Sequence, residues 1–512
     1  MEQFRVRLRD KVTGEYIPVP KAQAAGSGTA YEAASSAPRL ARWTGSSAGP
    51  QSSIARDLPQ LRRRSRDRRR NDGVADSAIE IMTANAIGTG IKPQWRTPDR
   101  DLNKALAQLW LDWTDFADPE GRCDFYGLQA LAFAGMMEGG DIFGRMRVRR
   151  IEDGLPVPLQ IQLLEGEHCP VEKSEATATG KIVNGVEFNL IGQRVAYWLY
   201  PEHPGDAGFR PGLMNVLSRV AAEEVIHLAG ARRVSSIRGE PWLSRALLTM
   251  YDVDQMNDAV VTRVKVANLF AGFISPGADG KFPAGTAGEA NPDANGRQVA
   301  SLEPGLMQVL GPGESVNFTD PPEAGSTYEA FLKIQMRRIA ASVGLLYEQL
   351  SGDYSGINDR TWRSGMNEFY RRLERIQYQL VAFQFCRPIA QKFVELAILS
   401  GAIKVPAGVP VNLVMRPAWI APVRPYINPV QDVAAKRDEV RAGFTSRSQI
   451  VAEQGEDIED LDAEIARDKR RADDLGLVFD SDAKAVSQAG VSQTPGSTDN
   501  QGGQADPQQK GN

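Results

Sequence analysis

Behind Pro241 the apolar residues Leu243, Leu247, Met250, Val253, Val260, Val264 and Ala267 recur every three or four positions as far as about Phe270. The period predicts a helix with proline in its first turn, where the missing N–H has no partner to lose. At about 1.5 Å per residue such a helix is roughly 45 Å long, longer than a small domain is wide. It needs a partner of matching length. Ser326 and Glu329 have the spacing of a capping box, and Tyr328, Leu332, Met336, Ile339 and Val343 follow on one stripe. A third long period, Trp362, Met366, Phe369, Leu373, Ile376 and Leu380, runs toward Pro388. That proline must kink or end the helix, because it lacks an N–H and crowds the preceding turn. Residues 271–325 break into Gly, Pro, Asn and short apolar runs, and 344–360 hold three glycines without a sustained period.

Upstream, residues 125–227 change pattern. Leu128, Leu131, Ala132 and Met136 have helical spacing, then 142–148 and 159–164 alternate like strands. Asn184-Gly185 between two β-branched runs is the pair a type I′ hairpin turn favours, and 195–200 reads as another strand. The class is α+β. Before this region Arg62, Arg63, Arg64, Arg66, Arg68, Arg69 and Arg70 put seven arginines into nine positions. Ala78, Ile79, Met82, Ala86 and Ile87 follow at helical spacing, closed by Gly88 and Gly90, so one long helix with a basic start is expected. The Ala/Ser/Gly-rich stretch 21–55 reads as an unpacked arm, 448–475 as charge-dense helix, and the sequence from about 483 as low-complexity tail.

Sixty Lys and Arg against 64 Asp and Glu leave a net charge of −4 over 512 residues. This excludes a uniformly basic nucleic-acid coat and a uniformly acidic disordered chain, so nucleic-acid contact has to come from local patches. Cys123, Cys169 and Cys386 form neither a disulfide framework nor paired metal ligands, as expected of a chain assembled in a reducing cytosol. The N-terminal MEQFRVRLRD has no apolar signal core, and no window approaches the roughly 20 apolar residues of a membrane span. No membrane association is expected.

Recognisable enzyme chemistry is missing. The nearest string to a phosphate-binding loop, Gly277-Ala278-Asp279-Gly280-Lys281-Phe282, has the wrong spacing, and neither G-x-S-x-G nor H-E-x-x-H occurs. His168 beside Cys169, near Glu165 and Glu167, supplies zinc-type donors, but a strand end turning at Pro170 explains the same residues. His227 reads as a strand residue satisfied by a neighbour, and Asp252/Asp254 and Glu223/Glu224 as solvated pairs. No catalytic, cofactor or metal residue is assigned. The arginine run has two readings, a candidate contact patch for phosphate or an acidic partner, or a solvated helix face in an oligomer. The stretch Glu453 to Asp474 is read as exposing its charged face.

Taken in order, several strings resemble the lambda family of phage portal proteins. They are Asn85-Ala86-Ile87-Gly88-Thr89-Gly90-Ile91-Lys92-Pro93, Phe125-Tyr126-Gly127-Leu128-Gln129, Met136-Met137-Glu138-Gly139-Gly140-Asp141, Leu163-Leu164-Glu165-Gly166-Glu167-His168, Gly239-Glu240-Pro241-Trp242-Leu243, Asp320-Pro321-Pro322 and Leu350-Ser351-Gly352-Asp353-Tyr354-Ser355. The resemblance covers roughly 58–478. It implies a portal-type α+β fold: a flexible arm (1–57), a wing of basic helix and α+β domain (58–240), stem helices (241–270 and 326–343) around a loop-rich clip (271–325), a tunnel loop (344–360), a long kinked wing helix and return (361–431), a helical crown (432–480) and a disordered tail (481–512). The arm and tail lie outside the resemblance, and no role is assigned to them.

The function implied is a non-enzymatic ring of twelve copies at one capsid vertex of the virion, assembled in the host cytoplasm, through which double-stranded DNA is packaged and ejected without sequence specificity. The implied partners are the terminase large subunit, which carries the motor ATPase, head-completion or adaptor proteins, the major capsid protein, and a scaffold or head protease. The resemblance makes Tyr347, Glu348, Asp353, Tyr354, Ser355 and Asn358 the DNA-facing residues. Physical chemistry agrees that this loop touches DNA weakly, since it carries Glu348, Asp353 and Asp359 against Arg360 alone. Two other readings compete: an assembly enzyme, protease or nuclease, dependent on Ser342 or His168, and a basic DNA-binding protein acting through Arg62 to Arg70.

Overall fold

The computed structural model describes residues 45–206, 216–269, 273–275, 315–317, 327–424 and 428–477. Most of the arm, most of the insertion 271–325, the capping-box Ser326 and the tail lie outside the described residues.

The expected basic helix is two helices, α1 (Pro50–Asn71) and α2 (Gly73–Ala86). Asp72 between them is extended (φ −124°, ψ 110°), and its carboxylate accepts the Val74 N–H at 2.9 Å, so a local N-cap interrupts the run. Helix α1 starts at Pro50, inside the stretch expected to be unpacked, with the proline in its first turn. Next come β1 (Lys92–Gln94), α3 (Arg100–Thr114) capped by Asp99, and α4 (Phe125–Gly139) capped by Asp124 and ended by Gly140 at φ +91°. Strands follow as β2 (Asp141–Val148), β3 (Leu159–Glu165), β4 (Glu175–Thr177), β5 (Gly180–Val183), β6 (Val186–Asn189), β7 (Arg194–Leu199), β8 (Ser218–Ala221) and β9 (Val225–Ala229).

They form two sheets, β3-β2-β9 and β4-β5-β6-β7-β8, with antiparallel pairing throughout. The turn of the β5–β6 hairpin is Asn184-Gly185, both at positive φ (52° and 83°), as a type I′ turn requires.

The first long helix departs from expectation at its start. Pro241 is extended, and a 3₁₀ turn, Trp242–Arg245, precedes α5 (Leu247–Leu269). Strands β10 (Phe273–Ser275) and β11 (Ser315–Asn317) pair antiparallel within the insertion. Helix α6 (Thr327–Val343) returns along α5, and the Tyr328 hydroxyl near its start donates to Asn257 Oδ1. Then follow α7 (Tyr347–Ser351), α8 (Asp359–Arg375), a π-helical segment (Ile376–Cys386) and α9 (Arg387–Leu399).

Pro388 neither ends nor breaks this run. The backbone before it widens to i→i+5 bonding, with the Arg387 N–H on the Ala382 carbonyl, which gives the proline ring room that an α-turn lacks. Helix α10 (Val411–Val414), β12 (Ala418–Ile420) paired with β1, α11 (Pro429–Arg441), α12 (Arg447–Glu453) and α13 (Ile458–Asp474) complete the chain. The charge-dense stretch is thus split, with Gly455 at φ +78° between its two helices.

The main core joins α2, α3, α4 and the α8–π–α9 run. At its centre Trp95, Trp110, Trp113, Phe125 and Phe393 contact one another, mostly edge-on or tilted, with centroids 4.9–6.5 Å apart. Buried Gln377 of the π segment donates to the Ala86 carbonyl at 3.1 Å, satisfying an otherwise open acceptor at the end of α2. A smaller core of Phe143, Leu164, Cys169, Val186, Tyr197, Leu199, Val220 and Val225 lies between the two sheets. Among the described residues no helix is long and apolar enough to cross a membrane.

Candidate functional site

Arg62, Arg66 and Arg69 fall at i, i+4 and i+7, one face of α1, and that face is packed. Arg62 is buried, donates to the Gly139 carbonyl at 2.7 Å and pairs with Asp141. Asp141 also receives Arg238 at 2.5 Å, and His227 Nε2 lies 3.4 Å from the same carboxylate. Arg238 further donates to the carbonyls of Gly166, Cys169 and Asn184. Burial opposes ionisation of Asp141, but Arg238 and Arg62 outweigh it and hold the carboxyl well below the usual range.

Arg66 grips Glu167 with two bonds of 2.6 and 2.8 Å and reaches Glu165 at 2.8 Å. Arg69 pairs with Glu138, Glu80 and Asp76, and Arg68 with Asp254. Neither of the two readings of the arginine run describes these four. They are internal clamps, and only Arg63, Arg64 and Arg70 of the run face solvent. Sequence reasoning missed this because the acids lie far along the chain, although the 3.6-residue spacing was the available signal.

The histidines and the cysteine singled out between residues 165 and 227 are also held within the fold. His168 Nδ1 meets the Glu165 carbonyl at 3.2 Å. Cys169 points into the sheet core, where burial pushes its thiol up to about 11. Glu165, Glu167 and His203 bring ligand-type atoms within 4.8 Å of one another, but Arg66 already occupies both carboxylates. His203 was not anticipated there. His227 is a strand residue satisfied by Asp141 and by Arg194 at 3.2 Å.

Burial pushes both His168 and His227 down to about 4. A histidine whose folded pKa is depressed resists protonation only while folded, so stability is full above about pH 6.5 and falls as pH drops toward 4. Melting temperature is therefore expected to decline between pH 7 and 4.5, with His227→Gln reducing the slope. A flat profile in wild type contradicts this.

The loop after α6 is a built element. Gly344 ends the helix at φ +95°, the Leu346 N–H donates to Gln349 Oε1 at 3.0 Å, and α7 closes at Gly352, φ +69°. The Tyr347 hydroxyl donates to Asp353 at 3.0 Å, and Ser355 donates to the same carboxylate through its N–H at 3.1 Å and its hydroxyl at 2.5 Å. The Ser355 and Tyr347 hydrogen bonds hold the Asp353 carboxyl down to about 2.

Lys333 of α6 lies 3.6 Å from Asp353, and the Arg337 guanidinium sits over the Tyr347 ring at 5.3 Å, so the loop is tied to α6. Tyr354 stands edge-on to Trp362 and remains half exposed. Asn358 caps α8 by accepting the Thr361 N–H at 2.9 Å. Of the six expected loop residues, Tyr347, Asp353 and Ser355 thus form one knot and Asn358 holds a helix end. Tyr354, Ser355 and Asn358 are exposed, and Glu348 is half-buried.

Known proteins are similar to this chain in sequence. The portal protein of Escherichia phage N15 is 23% identical, covering 88% of this chain and 92% of its own length. Portal protein B of Escherichia phage lambda is 21% identical over 89% and 92%. A probable portal protein of Halomonas phage phiHAP-1 is 25% identical over 85% of each chain. Among solved structures, the necks of an empty gene transfer agent particle with C6 symmetry and of a native one with C12 symmetry align at TM-scores of 0.45 and 0.44, 15% identity, 78% of this chain and 93% of theirs. The family model described as phage portal protein, lambda family, matches residues 36–377, the larger part of the sequence. The chain belongs to the lambda family of phage portal proteins.

Proposed function

We propose that this chain forms the portal ring of a phage head, a structural conduit for double-stranded DNA in packaging and ejection and a platform for the terminase large subunit and head-completion proteins. The observation that carries the reading is the family match across 36–377. The described stem supports it physically. Leu248, Tyr251, Val261 and Val264 on α5, and Phe331 and Ile334 on α6, are large apolar side chains at 39–72% exposure on two paired helices. A row of that kind on a single chain calls for cover, and a closed ring of heterologous contacts supplies it from neighbouring copies.

In this arrangement 241–270 and 326–343 are the stem, 271–325 the clip that meets terminase and adaptor, 344–360 the loop toward DNA, and 432–480 the crown. The virion location, host-cytoplasmic assembly, ring of twelve, and contacts with capsid protein and scaffold or protease belong to the same proposal. The competing readings lose support. The Ser342 hydroxyl bonds back to the Arg338 carbonyl of its own helix, and four of the seven run arginines are engaged within the chain.

Electron microscopy of the purified full chain over a range of salt and protein concentration tests the reading. Rings with a bore that passes a duplex are expected; compact particles under every condition overturn it. Leu248→Asp with Tyr251→Asp is expected to abolish rings while changing the monomer's melting temperature by only a few degrees, because both side chains are already exposed.

A further inference from the structure

Where α6 ends against the wing, an open groove is lined by Arg232, Arg245, Arg372 and Arg375, with Ser342 and Gln379 among its other polar groups and no Asp or Glu in its walls. Arg232 and Arg245 share a single carboxylate oxygen of Glu240, at 3.1 and 3.3 Å. Among the described residues Arg372 and Arg375 have no ion-pair partner. Arg372 lies over Gly344, whose missing Cβ leaves the guanidinium its present place. These two arginines are also an i,i+3 pair of like charges on α8, which by itself disfavours the helix. Four guanidiniums against one carboxylate make a recess that calls for an anion.

We propose that this groove receives the acidic first half of α5, Asp252 and Asp258, from an adjacent copy of the chain; the inference rests on the ring reading above. Both aspartates are exposed, and neither has an ion-pair partner among the described residues. Asp252 adjoins Leu248 and Tyr251, the exposed apolar residues that a neighbour covers, and Asp258 lies about two turns further along α5, so one contact along this helix buries the apolar pair and brings the carboxylates with it. Arg245, three residues before Leu248, begins the same surface, and a heterologous contact lets each copy give its aspartates to one neighbour and its arginines to the other. Guanidinium forks match carboxylates in paired geometry, and Arg beside exposed aromatic and apolar groups is the composition of an interface centre. Duplex phosphate fits the groove less well, because a ring of such arginine recesses would grip DNA with a steep salt-dependent affinity where a conduit has to let it slide.

The test uses the full chain. R372E/R375E is expected to raise the concentration needed for ring formation by roughly tenfold or more at moderate salt, while circular dichroism shows an unchanged melt. Adding D252K/D258K in the same chain is expected to restore rings, since every interface then carries the inverted pair, a rescue that a merely structural role for the arginines does not give. Unaltered rings in R372E/R375E overturn the proposal, as does failure of the charge swap to restore them. Intact rings with lost binding of a short fluorescent duplex assign the groove to phosphate and overturn it too. A wild-type chain that stays monomeric overturns the ring reading itself, and this proposal with it, before any variant is made.

Discussion

Asp141→Ala is expected to destabilise the folded chain by about 3–5 kcal/mol, the usual loss when one member of a buried ion network is removed. The carboxylate is fully buried and takes Arg62 from α1, Arg238 from the segment before α5, and His227 from β9. Without it two guanidiniums remain inside the protein with no carboxylate in direct contact, although carbonyls still accept some of their N–H groups and Glu167 lies near enough to act on both. Asp141→Asn keeps the shape and loses the charge, so it is expected to fall nearly as far. Urea unfolding and thermal melts of purified protein provide the measurement. The deficit is expected at neutral pH and should shrink as pH falls below about 4, where the unfolded carboxyl takes up a proton that the folded one resists. A loss under about 1 kcal/mol at pH 7 contradicts a dry, paired site.

Trp113→Ala is expected to cost about 3–5 kcal/mol as well, by a different route. Trp113 is completely buried, contacts Trp110, Phe125 and Phe393, and donates its indole N–H to the Leu159 carbonyl at 2.8 Å. It therefore joins α3, α4, α9 and β3 through one side chain. Truncation leaves a cavity between elements too well braced to collapse, and an open carbonyl on β3. Trp113→Phe fills most of the volume and loses the hydrogen bond, so a smaller loss of roughly 1–3 kcal/mol is expected. If the two substitutions prove equally mild in thermal melts, the aromatic cluster is less tightly packed than its contacts imply.

The features visible along the chain were those decided by neighbouring residues. Asn184-Gly185 was legible as a turn because two adjacent positive φ angles favour that pair, and the structure has both. The long helices were legible because period survives any tertiary context that buries one face. Local signals erred where a nearby polar group or steric relief changed the outcome. Asp72 caps a new helix instead of continuing the old one, and Pro388 is accommodated by a π-helical widening instead of ending the helix. In the loop after α6 the glycines mark breaks that the sequence shows, but nothing along the chain predicts the knot of Tyr347, Asp353 and Ser355. It exists because α7 and Gly352 turn the chain back on itself.

Fold class, the paired long helices and family membership followed from residue order alone, since steric preference, hydrophobic period and ordered motifs are carried by the chain in any conformation. The fate of the arginines did not. Arg62 meets Asp141 from 79 residues away, and Arg68 meets Asp254 from 186. The anion-seeking groove is assembled from three separate stretches of chain, 229–245, 341–344 and 372–384. Which charges are paired and dry, and which are left facing outward, is set by desolvation and distance in space, and those quantities come into being only when the chain has folded.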